Sequence, residues 1–239
     1  MNDHAGTSVE LLPINDLPEF RPGDDLAAAI AAAAPWLRDD DVLVVTSKVF
    51  SKVEGRLVDV PTDPAGREAA RRALVMSEAV RVVAKFNNFV ITENNLGIVQ
   101  AASGVDASNV ALGWVTVLPR EPDVSADRLR EALSGAFECP VGVIVADTFG
   151  RPWREGLVNV ALGVAGLRPL IDYRGCVDSY GRQLESTVVA LADEIASAAE
   201  IVMRKTAGMP VAIVRGAEEW AGQGSAQMLV RDAAHDLFR

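Results

Sequence analysis

The chain reads as an α+β protein with mixed or antiparallel sheets and packed helices, of a kind that has no P-loop. Three observations carry that reading. Apolar runs rich in β-branched residues, at 42–46 and 141–146, are interleaved with segments of helical periodicity. The polar triplet Glu93-Asn94-Asn95 divides two short strand-like runs, so hairpins occur beside strand–helix steps, which favours α+β over a regular doubly wound sheet. Neither G-x-x-x-x-G-K-[ST] nor a G-x-G-x-x-G between strand and helix is present.

Each element has its own warrant. Asp24 and Asp25 can N-cap a helix that runs through the alanine-rich 27–34 to about residue 37. Residues 42–46 form a buried strand. Residues 66–83 form a helix whose outer face carries Arg67, Glu68, Arg71, Arg72 and Glu78. Runs 89–92 and 97–100 make the hairpin. Ser125 caps a helix in which Leu129, Leu133 and Phe137 recur at i, i+4 and i+8. Strand 141–146 leads into Asp147, and the small apolar stretch 156–166 contains Gly163 and Gly166, which permit close backbone packing. A short strand at 170–173 precedes a long helix, 187–205, with Val188, Leu191, Ile195, Ala199 and Val202 as its core stripe. That helix closes on Arg204 and Lys205, with Gly208 beyond. Residues 210–214 are the last strand and 227–238 a closing amphipathic segment. Residues 1–239 read as one domain, in which the Pro-containing stretch 118–124 is the best, weak, internal boundary.

Composition limits the function. Apolar residues make up 49% and charged residues 23%, ordinary for a soluble globular protein. A formal net charge of −10 argues against nucleic-acid or anionic-membrane partners, which call for a basic surface. No apolar run reaches the roughly 18–20 residues of a membrane span. Cys139 and Cys176, with no secretory signal, read as reduced thiols of a cytoplasmic protein. With His4 and His235 alone, a histidine-built metal site is excluded.

The chemistry concentrates at two acidic turns. The strand 141–146 ends in Asp147, Thr148, Gly150 and Arg151, and a second turn, Gly104-Val105-Asp106-Ala107-Ser108-Asn109, lies upstream. Asp106 and Asp147 together suit one divalent cation, with Thr148 available to a second, because Mg²⁺ and Mn²⁺ take a few carboxylates plus substrate phosphates. Each aspartate taken singly is also an ordinary turn residue. After the first strand, Ser47, Lys48 and Lys52 follow directly; the lysines share one side of a helical turn and suit triphosphate oxygens, or form a solvated basic turn. Arg151 and Arg154 have the fork that reads phosphate or carboxylate, or else pair with Glu155. Trp36, Trp114, Trp153 and Trp220 are scattered, which suits core or lid positions better than a base-stacking platform.

At these residues the sequence resembles the coenzyme F420-0:L-glutamate ligases (F420:γ-glutamyl ligases), including the N-terminal half of the bifunctional actinobacterial form. The resemblance is carried by Leu17-Pro18-Glu19-Phe20, residues 46–56, Ile91-Thr92-Glu93-Asn94 with Leu96-Gly97, and residues 104–109. It continues through 146–151, Trp153-Arg154-Glu155-Gly156, Tyr180-Gly181, 210–216 and Asp236-Leu237-Phe238. It implies GTP-dependent addition of L-glutamate to coenzyme F420-0 through an acyl phosphate, repeated to lengthen a γ-linked tail. On matching positions it implies that Asp106 and Asp147 bind one divalent cation and Thr148 a second, with Mg²⁺ or Mn²⁺ as the metal and K⁺ as activator. Leu17, Pro18, Glu19, Phe20, Ser47, Lys48, Lys52 and Asn109 would contact GTP, and the stretch 204–211 would belong to the guanine pocket. Asp106, Asp147 and Arg151 are the expected catalytic residues, and a homodimer is the expected assembly. The nitroreductase-like C-terminal domain of the bifunctional relatives has no counterpart up to Arg239, and 218–224 shows no family pattern. Two other readings stand beside this one: a metal-dependent nucleotide phosphohydrolase or phosphotransferase, and a non-catalytic deazaflavin- or nucleotide-binding module.

Overall fold

The computed structural model describes residues 8–216 and 220–237; His4, Glu218 and Phe238 lie outside that range. It is an α+β fold. In chain order the elements are β1 (Glu10–Pro13), α1 (Leu26–Ala33), β2 (Val42–Thr46), α2 (Ser47–Val53), β3 (Leu57–Asp59), α3 (Pro64–Glu78), β4 (Ala79–Phe86) and β5 (Phe89–Asn94). They continue with β6 (Val99–Ala101), β7 (Trp114–Thr116), α4 (Pro122–Phe137), β8 (Gly142–Arg151), β9 (Arg154–Ala165), β10 (Ile171–Asp172), β11 (Val188–Val189), α5 (Leu191–Met203) and β12 (Val211–Arg215).

The central sheet has the order β1-β12-β2-β8-β9, with β2 and β8 parallel and the other neighbours antiparallel. Alternation along its strands feeds two apolar layers. Leu43, Val45, Val143 and Val145 face α1 and α4, whereas Val44, Ile144, Ala146 and Ala212 face α5, whose Leu191, Ile195, Ala199 and Met203 are buried. A second, three-stranded sheet, β4-β5-β6, and the pair β3–β7 flank a third cluster built on Val60, Val75, Val105, Val115 and Val117. Among the described residues no helix is long and apolar enough to cross a membrane.

Several boundaries differ from the sequence reading, each for a local reason. Helix α1 ends at Ala33 and not near residue 37, since Pro35 disfavours helical backbone in the residue before it. The helix expected over 66–83 is Pro64–Glu78, N-capped by Asp63, because 79–83 pair with β5. Here the β-branched run Val80, Val82, Val83 prevails over continued helical period. Ser125 does not cap α4; Pro122 starts that helix, and the Ser125 hydroxyl lies one turn in, bonded to Glu54 and to the Glu121 carbonyl. The helix expected over 187–205 is Leu191–Met203, since Val188 and Val189 are drawn into pairing with Ile171 and Asp172. The closing segment holds two short 3-10 turns, Ala226–Leu229 and Ala233–His235, in place of one amphipathic run. Asp25 does cap α1, accepting from the Ala28 N–H.

Candidate functional site

The parallel pair fixes the site. Thr46 and Ala146 are in register where the parallel pairing of β2 with β8 ends. At that rim β2 gives way at once to α2, beginning at Ser47. β8 instead continues: only 142–146 pair with β2, and 147–151 project as a hairpin with β9. Alternation sends Asp147 to the side of α2 and Thr148 to the side of α5. A cleft of about 250 Å³ opens around this projecting strand, lined by Leu17–Phe20, Lys48, Lys52, Asn109, Asp147 and Thr148. Ligand sites outside the carboxyl ends of parallel strands are the usual consequence of such geometry.

Asp106, on another element, does not line the cleft itself but is joined to it through its ion pair with Lys48. Its backbone bridges to Thr116 of β7, donating to and accepting from it at 3.0 and 2.8 Å. The preceding turn holds Ala102 and Ser103 at φ of 51° and 53°, a left-handed backbone that non-glycine residues rarely adopt. Thr92 accounts for its persistence: its hydroxyl accepts from the Ser103 N–H at 2.9 Å, while the Ser103 hydroxyl donates to the Val75 carbonyl. Thr92 is fully buried.

The electrostatics of the two aspartates diverge. Burial acts to raise Asp106, but the Lys48 ammonium at 2.7 Å and donors from Ser108 outweigh it and hold the carboxyl below its ordinary value. Asp147 keeps some exposure to the cleft, yet the protein packed around it desolvates the carboxyl and pushes it up to about 6. A backbone hydrogen bond at Thr148, the charge of Lys48 and a hydrogen bond from Ser47 pull the other way, and the charge of Asp106 adds to the rise. Asp106 and Asp147 thus feel each other and share Lys48. Carboxylates pushed apart in a cleft mark a functional site more often than a structural one.

On the α5 side a second set of oxygens converges. The Thr148 hydroxyl donates to Asn159 Oδ1 at 2.8 Å, and Asn159 Nδ2 donates to Glu200 Oε2 at 2.9 Å. The Lys205 ammonium donates to the Thr148 hydroxyl and lies 3.5 Å from Asn159 Oδ1 and 3.7 Å from Glu200 Oε2. Asn159, Glu200 and Lys205 all line the cleft. Asn159 and Glu200 are not among the sequence-expected site residues, whereas Lys205 falls in the stretch 204–211 expected at the guanine pocket. The one signal available was Asn159 itself, a polar residue in the otherwise small and apolar stretch 156–166.

The predicted residues mostly meet. Ser47 lies buried next to Asp147 and acts to lower that carboxyl. Lys52 donates to Glu19 Oε1 at 2.5 Å, tying the Leu17–Phe20 wall to α2. Residues 208–210 add to the cleft, near the position expected for the guanine pocket. Arg151 stands apart: at the far end of the hairpin its guanidinium donates to the carbonyls of Glu155 at 2.5 Å and Gly156 at 3.4 Å, and it does not line the cleft.

Hard oxygens of carboxylate, hydroxyl and amide type suit Mg²⁺ or Mn²⁺. Among the described residues no three His, Cys, Asp or Glu side chains form a closed metal group, so a cation here would complete its shell with substrate oxygens. Both oxygen sets already hold a cation of the protein's own, Lys48 on Asp106 and Lys205 on Thr148.

Comparison of the sequence with known proteins identifies its family. A sequence model described as F420-0:Gamma-glutamyl ligase matches residues 15–216. The chain is 43% identical over 237 residues to the coenzyme F420:L-glutamate ligase of Methanopyrus kandleri, covering 92% of this chain and 94% of that protein. It is 37% identical to the protein of that name from Methanocaldococcus jannaschii, covering 94% of each. The protein of that name from Methanothermobacter thermautotrophicus is 36% identical, over 97% of this chain and 99% of its own length.

Proposed function

The chain belongs to the F420-0:gamma-glutamyl ligase family, and on that footing we propose that it joins L-glutamate to coenzyme F420-0, and then to the growing γ-linked tail, at the expense of GTP. The observation that carries the proposal is the meeting of Lys48, Lys52, Asp147 and Thr148 with the Leu17–Phe20 wall in one cleft at the β2/β8 rim.

A carboxylate and an amine do not condense unaided in water, so the acceptor must first gain a leaving group. In the first step an oxygen of the acceptor carboxylate attacks the γ-phosphorus of GTP. The bond to the β,γ-bridging oxygen breaks, and GDP leaves. The free amine of L-glutamate then attacks the acyl carbon of the resulting acyl phosphate. The acyl carbon–oxygen bond breaks, phosphate departs, and the nitrogen gives up a proton as the amide forms. Little covalent chemistry falls to the protein; positioning and charge neutralisation dominate.

Lys48 and Lys52 carry the positive charge for the phosphates, with Leu17, Pro18, Glu19, Phe20, Ser47 and Asn109 holding the nucleotide. Asp106 and Asp147 would hold one Mg²⁺ or Mn²⁺ and Thr148 a second. When bound, such cations neutralise phosphate oxygens and align the donor with the acceptor. K⁺ fits this reading as an additional activator. Arg151 would meet an anionic group of the acceptor only after leaving the Glu155 and Gly156 carbonyls.

A homodimer is part of the same proposal. β4 stands at the edge of its sheet, and Val80, Val82 and Phe86 on it, with Phe89 across the turn, are exposed apolar side chains. An exposed apolar edge strand calls for a cover, and a second copy is the simplest one.

The test is incubation with GTP, Mn²⁺, K⁺, L-glutamate and coenzyme F420-0, read by mass spectrometry. The expected product is heavier by one or more glutamyl residues, with GDP release dependent on both acceptor and amino acid. Steady GTP hydrolysis without either would favour the phosphohydrolase reading and overturn this one.

A further inference from the structure

The oxygens around Lys205 suggest more than a salt bridge. Lys205 sits just beyond the C-terminus of α5, half exposed, and its ammonium lies among Thr148 Oγ1, Asn159 Oδ1 and Glu200 Oε2. Asn159 is 1% exposed and makes the arrangement rigid. Its Oδ1 accepts the Thr148 proton, so the lone pairs of that hydroxyl are left for a cation, and its Nδ2 fixes the Glu200 carboxylate. The Ser197 hydroxyl donates to the Asn159 carbonyl at 2.7 Å and so anchors α5 to β9 beside the triad. A hydroxyl, an amide oxygen and a carboxylate converging on one cation from two strands and a helix form a built cation site. A surface lysine that merely sought a partner would need Glu200 alone.

We infer that Asn159 and Glu200 join Thr148 in holding the second cation proposed above, and that Lys205 is a tethered cation that fills that place until a metal ion displaces the ammonium. This rests on the ligase reading for its purpose, since the metal would arrive with nucleotide phosphates, but not for its geometry. Two consequences follow. Without nucleotide the site is closed to metal by a competing charge that cannot diffuse away. With nucleotide, the displaced ammonium is left beside the phosphates, so one event loads a metal and supplies a phosphate-binding cation. Cation and nucleotide affinities are then coupled through one side chain.

The test is titration of the nucleotide-free protein with Mn²⁺, followed by electron paramagnetic resonance of the free ion. Lys205→Met is expected to bind Mn²⁺ on the order of tenfold more tightly than the unsubstituted chain at its second site. Lys205→Gln is expected to do the same, and circular dichroism verifies that each variant is folded. The gain should vanish in Lys205→Met/Glu200→Gln and persist in Lys205→Met/Asp106→Asn, which places it away from the Asp106–Asp147 pair. No gain in either Lys205 variant, or a gain that survives Glu200→Gln, overturns the inference. So does loss of the extra Mn²⁺ in K⁺ but not in Na⁺ at equal ionic strength, which would make the triad a monovalent site. No acceptor, glutamate or GTP enters this titration. Failure of the ligase assay therefore leaves its outcome readable, and failure here leaves the ligase assay readable.

Discussion

Asp147 carries a conflict that the fold tolerates. Its carboxyl is desolvated and lies near the charge of Asp106, so its folded value of about 6 is above the ordinary 3.8. The folded state then holds a proton more tightly than the unfolded one between those values. Stability of the metal-free protein should therefore fall as pH rises through that window, by up to about 2–3 kcal/mol. Mn²⁺ added above pH 6 should restore it, as seen in melting temperature. Asp147→Asn removes the charge while keeping the shape. It is expected to raise the melting temperature of the metal-free protein at neutral pH while cutting ligase turnover on the order of 10³-fold. A variant that loses activity and stability together would mean that Asp147 is a structural residue. Such opposition between stability and activity belongs to a site in which the missing partner is a ligand.

At the scale of elements, the hairpin of β8 and β9 both presents the site and packs the core. Gly163 lies under the start of α4, and a Cβ there would come within 2.3 Å of the Pro122 carbonyl group. Gly163→Ala should cost about 1–3 kcal/mol in urea denaturation, because backbone cannot yield as a side chain does. Gly135 is the internal contrast. It lies exposed inside α4 with nothing near its Cβ position, so Gly135→Ala should gain about 0.5–1 kcal/mol. The sequence made β2, β8, the Asp25 cap and the closeness of Gly163 legible, since strand runs and tight glycines are local properties. It misplaced the end of α3 and the start of α5, where pairing with distant strands decides the boundary. The site divides in the same way. Asp147, Thr148, Ser47 and Lys48 announce themselves at strand ends, whereas Asn159, Glu200 and Lys205 acquire meaning only once β9 and α5 are brought beside Thr148. Thr92, an unexplained part of the recognised pattern, proves to hold the strained turn before Asp106.

At the scale of the whole molecule, an acidic protein handles anionic substrates by concentrating Lys48, Lys52 and Lys205 in one cleft while the net charge stays at −10. The same scale decides assembly. If β4 is covered by a second copy, Val82→Glu with Phe86→Glu should shift the mass in light scattering from dimer to monomer and leave the far-ultraviolet circular dichroism unchanged. A monomeric unsubstituted chain would remove that part of the proposal. The account as a whole depends on the cleft making an acyl phosphate from the acceptor's own carboxylate. Coenzyme F420-0 labelled with ¹⁸O in that carboxylate, incubated with GTP, Mn²⁺ and L-glutamate, tests this in one measurement. One ¹⁸O should appear in the phosphate released with the first glutamyl addition, whereas first-round phosphate carrying no ¹⁸O would contradict the account.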